Sequence, residues 1–258
     1  MRELKDRVAV VTGAGSGIGR AIALELARAG MHVTLADIDP EKLAAVAAEV
    51  EALGRRALRV PTDVRQPAAL EHLLHETLAG LGGCHVMVNN AGVFHANTLL
   101  GASTEQWQRV IDTNLWGVIH GSRVFGAHFA QQREGHIVNT ASAAGLFPMV
   151  AMSAYSTSKF AVVGFTQQLR WELAADGVGV TLLCPGVVKT GIATATGVGM
   201  APADAAAFTA RSPAPEGLAQ KVRRAIERNS PLVRFGGDSY VFSLLRVLPQ
   251  WAIDPLGR

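Results

Sequence analysis

The chain has 258 residues, of which 49% are hydrophobic and 17% charged, with a net charge of +3. That length and apolar content suit one large α/β domain over residues 1–258. The slight basic excess is scattered, which argues against a nucleic-acid surface; even Arg223, Arg224 and Arg228 read as the solvated face of one helix.

In chain order, Met1–Arg7 is charged and lacks the apolar core of a signal peptide. A first strand, Val8–Val11, runs into Thr12-Gly13-Ala14-Gly15-Ser16-Gly17-Ile18-Gly19 and a helix over Arg20–Ala29. Glycines in such a turn let backbone approach a pyrophosphate, and the helix start offers free N–H groups. The glycine spacing is longer than the common dinucleotide fingerprint. A second strand, Val33–Leu35, is followed by Asp37, placed to accept hydrogen bonds from an adenosine ribose. Asp39, followed by Pro40, reads as the N-cap of a helix over Glu41–Leu53. The third strand, Ala57–Val60, is followed by Asp63-Val64. The fourth, Val86–Val88, is followed by Asn89-Asn90-Ala91-Gly92, with Asn89 tying the sheet and Asn90 facing a cofactor. His85, just ahead of it, has no assigned role. Strands His136–Asn139, Val178–Leu183 and Pro231–Phe235 complete a set of seven. Apolar runs without alternation, separated by helices, predict a doubly wound parallel sheet with helices on both faces and ligands at the carboxyl ends of the strands. Cys84 and Cys184 lie in apolar runs and read as buried thiols; two cysteines make no disulfide framework. No apolar run is long enough to span a bilayer, so the expected setting is cytoplasmic, with no stable membrane insertion.

The most telling segment is Ser153-Ala154-Tyr155-Ser156-Thr157-Ser158-Lys159. Tyr155 and Lys159, four apart, share one helix face. A free phenol titrates near 10. A neighbouring ammonium is expected to lower that value toward the range useful for acid/base catalysis. Ser142, after the fifth strand, can donate to a carbonyl oxygen. Ser153, Ser156 and Ser158 read as turn and helix-surface residues. The eight histidines show no metal spacing, so no metal is expected.

In this order, the glycine turn, Asp37, Asp63-Val64, Asn89–Gly92, Asn114, Ser142, Tyr155, Lys159 and Pro185-Gly186 resemble the short-chain dehydrogenase/reductase family over about the first 190 residues. The resemblance implies a single-domain Rossmann fold. It implies a cofactor held by Gly13, Ser16, Gly17, Ile18, Gly19, Asp37, Asp63, Val64, Asn90, Ala91, Gly92, Pro185, Gly186, Val188 and Thr190, together with Tyr155 and Lys159. It makes Ser142, Tyr155, Lys159 and Asn114 the catalytic set, with Asn114 holding a water that links the lysine to solvent. NADP-preferring relatives carry a basic residue where this chain has Ser16 or Ile38, so NAD is expected over NADP. Arg20, the one nearby cation, is expected to be solvated or ion-paired. A homodimer or homotetramer is expected through the long helices carrying Trp116, Val118, Ile119, Val163, Phe165 and Trp171.

Phe94, His95, Ala144, Phe147, Met149, Met152 and Val187 flank these motifs and are mostly apolar, so the expected substrate is a small lipophilic alcohol or ketone. Residues 191–215, rich in Ala, Gly, Thr and Pro, read as a flap that closes over it. Residues 240–251 form an apolar segment suited, in this order, to the core, a subunit contact or a membrane surface. Together these point to an NAD(H)-dependent oxidoreductase interconverting a secondary alcohol and a ketone. One alternative is an NADPH-dependent 3-oxoacyl-carrier ketoreductase, opposed by Asp37 and the tail. The other is a non-catalytic dinucleotide-binding protein, opposed by the presence of the full Ser-Tyr-Lys-Asn set.

Overall fold

A computed structural model describes residues 3–192 and 212–246. Seven strands form one parallel sheet in the order β3-β2-β1-β4-β5-β6-β7. They are β1 Val8–Thr12, β2 His32–Asp37, β3 Ala57–Pro61, β4 Val86–Asn89, β5 Gly135–Thr140, β6 Val178–Pro185 and β7 Leu232–Phe235. Side chains alternate across a strand, and here both faces are covered. In β1, Ala9 and Val11 feed one core while Val10 feeds the other. That is why the strands read as unbroken apolar runs.

Helices α1 (Gly17–Arg28) and α2 (Pro40–Ala52) cover one face, together with α7 (Pro215–Arg228). The other face is covered by α3 (Pro67–Leu81), α5 (Gly117–Gln132) and α6 (Ser153–Glu172). Helix α4 (Thr104–Ile111) precedes α5, and α8 (Gly237–Leu245) follows β7. Asp39 caps α2 by accepting from the backbone N–H groups of Glu41 and Lys42. The strand order reverses between β1 and β4, which opens a crevice at their carboxyl ends.

Several expectations change. Asn114 lies not in a regular long helix but in a π-helical turn, Asp112–Trp116, between α4 and α5. Val118 and Val163 pack inward at 2% and 0% exposure, while Trp116 and Trp171 stay on the surface. His85 has a structural contact, accepting a hydrogen bond from the Val8 N–H at 3.2 Å. Most of the expected flap, residues 193–211, lies outside the described residues, and its far end, Pro215, is already the first residue of α7. Residues 247–251 of the tail also lie outside them. The rest of that tail is not wholly buried, since Tyr240, Val241 and Leu244 on α8 are exposed.

His136 on β5 is fully buried. Thr181 donates its hydroxyl hydrogen to the Ser230 carbonyl, so Thr181 accepts from His136 Nε2, 2.8 Å away. Nδ1 has no partner. Burial holds this imidazole down to about 3, from an ordinary 6.5. Between those values the unfolded chain carries a proton that the native state lacks. Stability present above pH 6.5 is therefore lost as pH falls toward about 3. The urea midpoint should drop through this window, with His136 contributing up to about 1.4 kcal/mol per pH unit. His136→Gln should flatten the slope; identical slopes in the two proteins would acquit His136.

Candidate active site

The site grows from the carboxyl edge of β5. Lys159 on α6 is 4% exposed and donates from Nζ to the carbonyl of Thr140, the last β5 residue, at 2.9 Å. The same Nζ lies 5.6 Å from the centroid of the Tyr155 ring. Phe94, on the segment after β4, meets that ring edge-on at 4.9 Å. Ser142 stands close enough to the Tyr155 phenol to favour its charged form slightly, and its Oγ accepts from the Ala144 N–H at 3.1 Å. Residues Ala143–Gly145 form a single 3₁₀ turn pressed against α6. A Cβ on Gly145 would stand 2.6 Å from the Lys159 carbonyl oxygen, so glycine is what allows this approach.

Burial dominates the electrostatics. It pushes the Tyr155 phenol up, only partly opposed by Ser142. It pulls the Lys159 ammonium down to about 8. This corrects the expectation that the lysine would lower the tyrosine: removal from water disfavours both charged forms and outweighs their attraction. At neutral pH the pair is therefore a protonated phenol beside an ammonium.

Asn114 is fully buried and tied to the strand-end loop. Its Oδ1 accepts from the Val93 N–H at 2.8 Å, and its Nδ2 donates to the Val93 carbonyl at 2.9 Å and to Ser158 Oγ at 3.2 Å. Ser158, expected on a helix surface, is fully buried, and Ser156 is 8% exposed. The π-helical turn meets α6 at Ser158, through the Asn114 amide. Asn114 Oδ1 and Lys159 Nζ flank Gly92, 3.2 and 3.7 Å from where its Cβ would be.

The crevice between β1 and β4 fits a dinucleotide. A Cβ on Gly19 would collide with the Gly13 carbonyl, so the turn closes only as glycine. Thr12 Oγ1 accepts from the N–H groups of Asn90 and Ala91, and Asn90 Nδ2 donates to the Thr12 carbonyl at 3.0 Å, joining the Gly-rich turn to the β4 loop. From the far side, the Thr190 methyl reaches Gly17, 3.2 Å from its would-be Cβ. Asp37 ends β2, and its Oδ2 accepts from the Gly15 N–H at 3.0 Å. Ser16 and Ile38 are exposed, and Ile18 is half-buried against the core. Arg20 is engaged at both ends of its guanidinium by Glu49. Asp63 is clasped by the Arg65 guanidinium, which holds its carboxyl below the ordinary range, while Val64 packs on Gly117. After β6, the Gly186 N–H bonds the Phe235 carbonyl, the Val187 N–H donates to Asp238 Oδ2 at 3.0 Å, and Val188 joins the core.

The substrate-side residues do not all converge. Phe94 touches Tyr155, and Phe147 stacks on Phe242 of α8 at 5.2 Å. Ala144 is buried in the 3₁₀ turn, and Met152 pairs with Asn97 in an isolated bridge. His95 is half-buried, with Nε2 unpartnered among the described residues. Met149 lines a cleft of about 540 Å³ with Leu99, Trp107 and Phe160, whose lining includes none of Ser142, Tyr155 and Lys159.

Sequence reasoning missed Thr12, Ser158 and Asp238, each of which orients a motif segment. Only Thr12 left a signal, by standing where β1 meets the turn. It also missed that His72, His75 and Glu76, at i, i+3 and i+4 on α3, bring three possible ligand atoms within 4.8 Å of one another on the exposed side of that helix.

A family model described as short chain dehydrogenase matches residues 7–199. The chain is 38% identical to the "Probable oxidoreductase EphD" of Mycobacterium tuberculosis, over 95% of this chain and 44% of that protein, so it spans less than half of that relative's length. It is 38% identical to the "3-oxoacyl-[acyl-carrier-protein] reductase" of Synechocystis, over 74% of this chain and 77% of the relative. A crystal structure of a short chain dehydrogenase/reductase from Burkholderia phymatum in complex with NAD matches 100% of this chain and 98% of its own, with a TM-score of 0.88 and 35% identity.

The buried ammonium carries a stability cost that a test can expose. Below about 8 the native state buries Lys159 charged, and the cost is relieved between about 8 and 10.5, where the native lysine deprotonates before the unfolded one. Lys159→Met should stabilise the protein by roughly 1–2 kcal/mol near pH 7, net of the lost Thr140 hydrogen bond, with the advantage shrinking as pH rises. A variant less stable than wild type at pH 7 would contradict this balance.

Proposed function

The chain belongs to the short-chain dehydrogenase/reductase family, and on that premise we propose that it is an NAD(H)-dependent oxidoreductase interconverting a lipophilic secondary alcohol and its ketone. The observation that carries this reading is the meeting of Ser142, Tyr155 and Lys159 at the β5 edge. A bound nicotinamide dinucleotide would supply or accept the hydride. Gly13, Ser16, Gly17, Ile18 and Gly19 would hold its pyrophosphate, and Asp37 its adenosine ribose. Asp63 and Val64 would meet the adenine, Asn90, Ala91 and Gly92 would line its path, and Pro185, Gly186, Val188 and Thr190 would border the nicotinamide.

In reduction, the Ser142 hydroxyl donates to the substrate oxygen and the Tyr155 phenol gives that oxygen its proton; in oxidation the proton returns. The raised phenol favours the protonated form that reduction needs. Lys159 stays cationic beside the ring and would bind ribose hydroxyls. Asn114 positions the Val93 segment and, through Ser158, the Tyr155 turn of α6. The apolar contacts of Phe94 and Phe147 support a lipophilic substrate. NAD is favoured over NADP because Asp37 would repel a 2′-phosphate and Glu49 already neutralises Arg20. The exposed Trp116 and Trp171 support self-association through the α4–α6 side, and two buried thiols suit a cytoplasmic setting.

Tyr155→Phe should lower kcat by about 10²–10⁴ while leaving NAD affinity near wild type; activity within about tenfold would place the acid/base elsewhere. Asp37→Ala should weaken NAD and narrow the preference over NADP, and a wild-type enzyme with higher kcat/KM on NADP would refute the assignment. Light scattering should give a dimer or tetramer at micromolar concentration, with monomer as the contrary result.

A further inference from the structure

The C-terminal elements present a surface that the proposed reaction does not use. Helix α7, strand β7 and helix α8 meet around a cleft of about 250 Å³ whose lining includes Lys221, Arg224, Arg228, Arg234 and Tyr240 and no carboxylate. Among the described residues none of these four cations forms an ion pair, whereas Arg223 on the same helix pairs with both Glu25 and Glu227. Lys221 Nζ bonds the Tyr240 hydroxyl at 3.0 Å, and Lys221 and Arg234 each stand 5.4 Å from the Tyr240 ring centroid. Like charges gathered around one ring repel, and an anion between them relieves that repulsion.

Beside the cleft, α8 turns an apolar ridge to solvent. Tyr240, Val241 and Leu244 are 44%, 52% and 68% exposed and share one face. The opposite face is pinned inward: Ser239 donates to the Cys184 carbonyl at 2.7 Å, and Phe242 stacks on Phe147. The helix is thus anchored on one side and largely apolar on the other, where Val241 and Leu244 stand free of the cleft, with unpaired cations alongside. We propose that this face docks on an anionic lipid surface, its cations taking headgroup phosphates and its ridge entering the headgroup–acyl boundary. A second copy whose two-fold axis passes through the cleft would set these cations against themselves. A nucleic acid or acidic protein would match the charge but leave the aliphatic ridge without a partner. The inference is independent of the reaction assigned above.

Flotation of the full chain with phosphatidylcholine vesicles, with and without about 30% phosphatidylglycerol, tests it at about 50 and 500 mM salt. Binding is expected only with phosphatidylglycerol and should weaken at least about tenfold at the higher salt. Each cation near such a surface contributes about fivefold, so Arg224→Glu/Arg228→Glu should lose at least about 25-fold without lowering the melting temperature. Arg224→Lys/Arg228→Lys should keep binding, and Leu244→Ser should lose the part that survives high salt. Equal binding to both vesicle types, binding to neither, or full binding by the charge-reversed pair would overturn the proposal. So would capture by transfer RNA or an acidic carrier protein where vesicles fail. Loss of oligomer mass in the charge-reversed pair without vesicles would give the face to a second copy instead.

Discussion

The site depends on one unusual burial: an ammonium, Lys159, held by the carbonyl at the end of β5 and by an aromatic face. A charge taken out of water in this way is tolerated only where the surrounding packing leaves it no other place. Its position sets the rest. Tyr155 lies one turn earlier on the same helix, Ser142 two residues past the end of β5, and Gly92 faces it across the crevice. The cost of that burial is borne by the cores around it.

The frame that holds α6 to the sheet is polar as well as apolar. Asn89 on β4 donates to Ser122 of α5 and to Asn139 of β5; Asn139 donates to Thr166 of α6, which donates to its own helix at Val162. Every member is buried, so a slip of α6 along the sheet would leave unsatisfied groups, each costing about 1–3 kcal/mol. The network therefore locks the height of Lys159 relative to Thr140. On the cofactor side, Thr12 and Asn90 do the same for the Gly-rich turn. Both ties depend on strands β1, β4 and β5 ending at one level, as the parallel register provides.

The strands were legible because a parallel sheet covered on both faces writes itself as continuous apolar runs. Tyr155 and Lys159 were legible because shared chemistry demands one helix face. Ser158 was not, because a serine in a helix carries no mark of burial; the π-helical turn whose Asn114 meets it lies 44 residues away in sequence. The same holds for the split between Trp116, at the end of the π-helical turn, and Val118, at the start of α5, of which only Val118 meets a core. The direction of the Tyr155 shift was misjudged because spacing reveals the attraction between the two groups but not the desolvation that opposes it. Asp238 lay beyond reach for a simpler reason: it acts on Val187 from an element that follows 51 residues later.

The central claim is that Lys159 is a buried, uncompensated ammonium, and its titration is the most direct test. In protein labelled with carbon-13 at the lysine ε-carbons, with Lys159→Met assigning the resonance, the account predicts a midpoint of about 8, far below the ordinary 10.5. A Lys159 signal that titrates at the ordinary lysine value would contradict it.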